Sequence, residues 1–246
     1  MFESLRAFGY ELPTALADLI DNSVFAGAEN VWIDFEWDGE NSMISVTDDG
    51  RGMTEKELFN AMRPGSRNPR ELRDPQDLGR FGLGLKTASL SQGRRLTVRT
   101  KLLDSPTFTR CWDLDYVAHS GDWCLLRKGD DQAEKQFAKL NKLASGTAVV
   151  WQKLDQLVAG QTTENEGQHS HFLARIDGVR EHLAMVFHRL MEGRNRLHVF
   201  VNDREVEPWD PFLTSEPATH RLPPTTLLFD GESVFVEPFV LPHLSK

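Results

Sequence analysis

Cysteine is scarce in this sequence: Cys111 and Cys124 are the only two among 246 residues. Two thiols do not make a disulfide framework, and reduced cysteines in a cytoplasmic protein are the expectation. Also lacking is an apolar run of about 18 residues, the length a membrane-spanning helix needs, so no membrane contact is expected. The opening Met1-Phe-Glu-Ser-Leu-Arg-Ala-Phe has no basic start followed by an apolar core, which argues against a secretory leader. Positive charge is in deficit: 28 Lys and Arg against 37 Asp and Glu leave a net charge of −9. A surface of that sign does not suit non-specific binding of nucleic acid by the whole protein.

What the chain does contain is ordinary for a globular protein, 39% hydrophobic and 26% charged, and long enough for one large domain or two modest ones. The scarce positive charge is unevenly spread. From Arg63 to Lys101 there are ten basic residues (Arg63, Arg67, Arg70, Arg73, Arg80, Lys86, Arg94, Arg95, Arg99, Lys101) against three acids (Glu71, Asp74, Asp77). A locally basic stretch around a glycine loop suits a polyphosphate; a solvated charged loop is the plainer alternative.

Hydrophobic spacing predicts a helix over 13–24, opened by Pro13 and packed along Leu12, Leu16, Leu19, Ile20 and Ser23. Asp18 and Asn22, four apart, share another face. Residues 31–37 and 43–47 alternate like two strands, and Thr54 with Glu57 forms a capping-box pattern for a helix ending near Met62. Residues 63–78 carry Arg, Pro, Asp, Asn and Gly without periodicity and read as a loop. A helix over 83–91 follows, then strand-like segments at 95–103, 107–117 and 122–127, a charged helical or loop stretch at 130–143, and a strand at 146–151. A polar loop at 159–168 precedes a helix over 171–191, and strand signals resume at 197–201 and 232–241. The expected class is α+β: a mixed sheet covered by helices, then part of a second α/β unit.

Three segments could carry chemistry. Residues 79–86, Gly-Arg-Phe-Gly-Leu-Gly-Leu-Lys, feed the helix at 83–91. Glycines before a helix let backbone N–H groups approach phosphate oxygens, and Lys86 adds a cation. The P-loop pattern is not met, because Leu85 separates Gly84 from Lys86; a dinucleotide fingerprint would need a preceding strand, which Arg73-Asp-Pro-Gln-Asp-Leu does not supply. A tight turn is the simpler alternative. Asp48 ends a strand and precedes Gly50 and Gly52, where its carboxylate could accept a hydrogen bond from the amine of a base, or merely cap its own turn. On the helix, Asn22 could offer an amide oxygen to Mg²⁺ and Asp18 could orient or deprotonate a water; a solvent-facing polar pair is the other reading.

In order along residues 10–151, Ala17-Asp-Leu-Ile-Asp-Asn22-Ser, Asp48-Asp-Gly50-Arg-Gly52-Met53, Gly79–Lys86 and Gly146-Thr147 together resemble the GHKL (Bergerat-fold) superfamily of ATPases. The resemblance is closest to the MutL, MORC and heat-shock-chaperone-like branch, in the manner of a bacterial-type ATP-binding protein. It implies a GHKL α/β sandwich, a mixed, mainly antiparallel sheet with helices on one face, that binds ATP and Mg²⁺. Asn22 would hold Mg²⁺, and Asp48, within Asp48-Asp-Gly50-Arg-Gly52-Met53, would bind the adenine amine. Ala26 and Met53 would line the base pocket and Thr147 would support it. Gly79, Arg80, Phe81, Gly82, Leu83, Gly84, Leu85 and Lys86 would wrap the phosphates, with 63–78 as the ATP lid.

Two positions depart from the pattern. Asp18 stands where the superfamily usually has a catalytic Glu, drawing the carboxylate back by one methylene; Glu11 is the reserve candidate. Phe25 stands where Asp is frequent. Slow hydrolysis through Asp18 is therefore expected, with lid closure and ATP-gated homodimerisation working as a clamp. The other readings are a non-hydrolytic ATP-sensing interaction module and a DNA-acting MutL- or MORC-like factor with an unknown DNA or protein client. The expected organisation is an ATP-binding domain over 1–160, a linker and connecting helix over 161–195, and the incomplete start of an S5-like transducer domain over 196–246, with Asn202 to Phe212 as its early hairpin.

Overall fold

The computed structural model describes residues 6, 10–63, 84–158, 163, 166–229 and 231–243. Helix α1 (Leu12–Phe25) begins with Pro in its first turn and buries Leu12, Ala15, Leu16, Leu19 and Ile20 on one stripe. Gly27, at φ +73°, turns the chain out of the helix and into β1 (Asn30–Glu36), which pairs antiparallel with β2 (Met43–Asp48) in a register that sets Val31 opposite Asp48. The capping box forms as the sequence suggests: Thr54 and Glu57 close reciprocally over the start of α2 (Glu55–Met62). Then come α3 (Gly84–Gln92), β3 (Arg95–Lys101), β4 (Thr107–Asp113), α4 (Leu114–Ser120), α5 (Asp131–Gln136), α6 (Ala138–Lys142), β5 (Gly146–Gln152), α7 (Asp155–Val158) and α8 (Glu166–Val186). The remainder comprises β6 (His198–Val201), β7 (Arg204–Glu205), β8 (His220–Arg221), β9 (Thr225–Phe229), β10 (Glu232–Val236) and β11 (Phe239–Val240).

Seven strands form one sheet in the order β4-β3-β5-β2-β1-β6-β7, antiparallel except for the parallel β1–β6 pair. This is the α+β mixed sheet that the patterning predicts. α1 packs against α3 and α8, and one sheet face joins that helical layer in the main core, through Val31 and Ile33 of β1, Val149 and Trp151 of β5, and Ile176 and Leu183 of α8.

The sequence reading needs correction in four places. Helices are not confined to one face: α5 and α6 place Ala133, Phe137 and Leu140 against Ala148 and Val150, the alternate residues of β5. The strand expected to run to 117 stops at Asp113, whose side chain caps α4 by accepting from the N–H groups of Asp115 and Tyr116. Residues 122–127 form no strand; Leu126 makes one isolated bridge with Cys111. The boundary at 196 divides elements that belong together, because β6 lies parallel to β1 and extends the main sheet. A hairpin is formed by β6 and β7, earlier than the expected Asn202 to Phe212, turning at Asn202 and Asp203 with φ of 48° and 59°, the geometry of a type I′ turn. Asn202 Oδ1 accepts from Phe35 N–H at 2.7 Å, tying that turn to the end of β1.

Candidate functional site

Every residue of β2 is buried, and the strand delivers Asp48, only 7% exposed, to the floor of a cavity. Its carboxylate is met from three elements. Oδ1 accepts from the N–H of Gly50 at 2.9 Å and of Thr147 at 3.2 Å. Oδ2 lies 3.2 Å from the Ser23 hydroxyl, which also reaches the Leu19 carbonyl at 3.1 Å and so donates to one of them at a time. Burial pushes the Asp48 pKa up to about 6 against the pull of these donors. A buried carboxylate poised near neutrality is typical of sites that bind or react.

Two glycines make this geometry possible. Gly52 has φ +74°, and a Cβ there would sit 2.1 Å from the Lys101 carbonyl oxygen. At Gly146, φ +145°, a Cβ would lie 2.1 Å from the carbonyl oxygen of Asp48 itself. Only glycine lets β5 begin close enough for Thr147 to donate to Asp48. Behind them, Thr100 of β3 is a hub: its hydroxyl accepts from Met53 N–H at 2.8 Å, reaches the Gly146 carbonyl at 3.1 Å, and lies 3.1 Å from the Thr147 hydroxyl.

The cavity above Asp48 measures about 450 Å³, within the usual range for small-ligand sites. Val46, Val98 and Val149 make an apolar wall, suited to the face of a flat base. Of the residues singled out in the sequence, Asn22, Ala26, Asp48, Gly52, Met53, Gly84, Leu85 and Thr147 line it together. Gly50 stands behind Asp48 as a backbone donor. Gly79, Arg80, Phe81, Gly82 and Leu83 lie outside the described residues, as does the expected lid from 64 to 78.

Lys86, expected among the phosphate-wrapping residues, points elsewhere. The phase of α3 turns its side chain inward, 0% exposed, with Nζ donating to the Ala61 carbonyl at 2.7 Å. Asn22 donates its amide N–H to the Asp18 backbone carbonyl at 2.7 Å, so the amide oxygen is the hard donor it can present to the cavity. Among the described residues no group of three His, Cys, Asp or Glu could hold a metal on its own. One amide oxygen beside phosphates and water is a donor set that Mg²⁺ accepts.

Asp18, one turn before Asn22, is half-buried. It does not line the cavity, but its Oδ2 is 3.8 Å from where a Cβ of Gly84 would be, at the start of α3. Burial raises its pKa, and a hydrogen bond from Tyr10 offsets part of that rise. At the rim, Arg51 pairs with Glu57 at 3.3 Å, both well exposed. Sequence reasoning passed over Ser23, Thr100, Arg51 and Glu57 as site residues. Ser23 and Thr100 gave only a packing signal, a small polar residue on an otherwise apolar helix stripe and on a strand.

The basic cluster at 94–101 is occupied internally. Arg94 pairs with Asp115, Arg95 with Asp113 and Asp130, and Arg99 with Glu134, while Lys101 donates to the Leu143 carbonyl. Its charges are spent on a structural network between β3 and its neighbours.

Among known proteins, the family model described as "Histidine kinase-, DNA gyrase B-, and HSP90-like ATPase" matches residues 10–147, which supply all but Val149 of the described cavity lining. ATPase morc-1 of Caenorhabditis elegans is 33% identical over 88 residues, which make up 36% of this chain and 10% of that protein. DNA mismatch repair protein MutL of Colwellia psychrerythraea is 34% identical over 90 residues, 36% of this chain and 14% of that protein. The similarity thus covers a small part of either relative's length.

Proposed function

The chain belongs to the family of histidine kinase-, DNA gyrase B- and HSP90-like ATPases, and on that premise we propose that the cavity binds Mg²⁺–ATP and hydrolyses it slowly to ADP and phosphate. The observation that carries this reading is the buried Asp48 carboxylate at the closed end of the cavity, backed by Thr147 and Thr100, with Asn22 and Gly84 on its lining. An acceptor walled by valines fits the exocyclic amine of adenine, and the open backbone at Gly84 fits the phosphate end.

Asn22 would hold the magnesium ion, which would neutralise phosphate charge when bound. Asp18 would act on the attacking water. As the water oxygen bonds to the γ-phosphorus, the bond to the β–γ bridging oxygen breaks, the proton passes to the Asp18 carboxylate, and ADP leaves with the bridging oxygen. The N–H groups of the Gly79–Leu85 loop would cradle the phosphates, and closure of 63–78 with homodimerisation would couple ATP to a clamp. The name of one relative, a DNA mismatch repair protein, suggests DNA as a client, and a protein client is the alternative. The neutralised Arg94–Lys101 cluster favours a protein surface over direct contact with DNA through that face.

A second reading has its own support. Asp18 carries its carboxylate one methylene short of a glutamate's reach, which suits an ATP sensor that changes shape on binding without turnover. Thermal unfolding with ATP, ADP and a non-hydrolysable analogue, each with and without Mg²⁺, tests the site. Stabilisation that needs Mg²⁺ for the triphosphates is expected, and no shift with any nucleotide would overturn it. Single-turnover hydrolysis separates the two readings, and an Asp18→Glu variant faster than the native protein is expected if reach limits the reaction.

A further inference from the structure

We propose that Phe25 receives the sugar of the bound nucleotide, packing its ring against the sugar's C–H face at the mouth of the cavity. This rests on the reading of the cavity as a nucleotide site. Phe25 is the last residue of α1 and lies off the buried stripe of that helix. It lines the cavity and is 45% exposed, an apolar ring left open at the rim. Its backbone is held on both sides. The Ala26 N–H donates to the Asn22 carbonyl at 3.0 Å, and the Ala26 carbonyl accepts from the Arg51 N–H at 2.9 Å. Gly50 brings that turn so close that a Cβ there would lie 2.9 Å from the Ala26 Cβ. The end of α1 and the turn after Asp48 thus form one joined edge of the cavity, and the Phe25 ring stands on it.

Position along the helix decides which part of the ligand meets the ring. At about 3.6 residues per turn, Asp18, Asn22 and Phe25 fall on one face in successive turns, whereas Ser23 is turned well away from Phe25. Asp18 lies beside Gly84, at the phosphate end. Ser23 lies on Asp48, the acceptor for the base. At about 1.5 Å per residue, Phe25 sits about 10 Å beyond Asp18 along the helix. It is therefore remote from the terminal phosphates and outside the corner that holds the base. The group left to meet it is the sugar that joins them. A phenyl ring has no donor or acceptor, so it contributes apolar contact and the exclusion of water.

Calorimetric titration of the full chain with ATP, ADP and AMP tests this on the native protein, Phe25→Ala and Phe25→Leu, with the Tm of each nucleotide-free protein alongside. Truncation to alanine is expected to weaken all three nucleotides by the same factor, about 5- to 10-fold, the scale of covering half a phenyl side chain. Leucine keeps most of the apolar area and is expected to stay within about 3-fold of the native affinity. Because the ring lies off the buried stripe, the nucleotide-free Tm is expected to remain near the native value in both variants. Adenine added as a competitor lacks the sugar and is expected to bind the native protein and Phe25→Ala equally. A loss confined to ATP would put the ring at the phosphates, and weaker adenine binding in Phe25→Ala would put it on the base. A lower nucleotide-free Tm in both variants would make the ring structural. Each of these results overturns the proposal. If none of the nucleotides binds the native protein, the reading of the cavity fails and the role of Phe25 falls with it. Native protein that binds ATP beside a Phe25→Ala variant of unchanged affinity removes the Phe25 proposal alone.

Discussion

Replacing Asp48 by Asn is expected to separate stability from ligand binding. In the folded protein the Asp48 pKa rises from the ordinary 3.8 to about 6, because burial penalises the charge more than its donors stabilise it. The sign follows directly: a raised acid pKa means the fold holds a proton that the unfolded chain has released. Stability is therefore full at low pH, declines as pH rises from about 3.8 to about 6, and stays reduced above that. At 1.36 kcal/mol for each pH unit, the whole effect is about 3 kcal/mol, an order-of-magnitude ceiling for one buried carboxylate. Asparagine resembles the protonated acid in shape and charge. It can keep one oxygen on the Gly50 and Thr147 N–H groups, but then turns an amide N–H₂ toward Ser23 and the base. The nucleotide-free variant at pH 7.5 is expected to gain about 1–3 kcal/mol, or several degrees in Tm, and to lose its advantage near pH 4. ATP should bind about 10- to 100-fold more weakly, as expected for losing a hydrogen bond to a charged acceptor. Differential scanning fluorimetry at both pH values and calorimetric titration with ATP measure the two effects. An Asn variant less stable than the native protein at pH 7.5, or one that binds ATP with unchanged Kd, would refute the reasoning.

Two other changes probe the support behind Asp48. Thr100→Val removes the hydroxyl that accepts from Met53 N–H and joins Gly146 to Thr147. It is expected to cost about 1–3 kcal/mol for the unpaired donor, seen as a lower urea midpoint, together with weaker ATP binding; an unchanged midpoint would show that the hub is dispensable. Gly52→Ala places a methyl 2.1 Å from the Lys101 carbonyl oxygen in a left-handed backbone. A Tm drop beyond that of Thr100→Val is expected, and a native-like melting curve would mean the turn can rearrange freely.

How far the sequence disclosed this arrangement depends on how local each signal is. The α1 stripe, the Thr54–Glu57 box and the alternation of β1 and β2 are short-range patterns, and each became the expected element. Asp48, Asn22 and Thr147 were legible because their neighbouring residue types are unusual. Thr100 was not, since nothing in Thr97-Val-Arg-Thr100 reveals that the β3–β5 register sets it opposite Thr147. The burial of Lys86 was not legible either: its charge beside glycines suggested phosphate, and the contact of Nζ with the Ala61 carbonyl depends on how α3 packs on α2. The parallel seat of β6 beside β1 depends on a crossover through α8, which no local window contains.

The link between Asp48 and Thr147 spans 99 residues of chain, and that separation has a consequence for biosynthesis. Strand β2 can meet β1 early, since they are joined by a short connection, but the Asp48 end of the cavity does not exist until β5 inserts between β2 and β3. Closing so long a loop is slow and entropically opposed. A nascent chain that has not yet extended past Gln152 therefore carries the Asn22 and Asp48 segments without a cavity to bind nucleotide. Until then the unpaired edges of β2 and β3 stand exposed to other chains during synthesis.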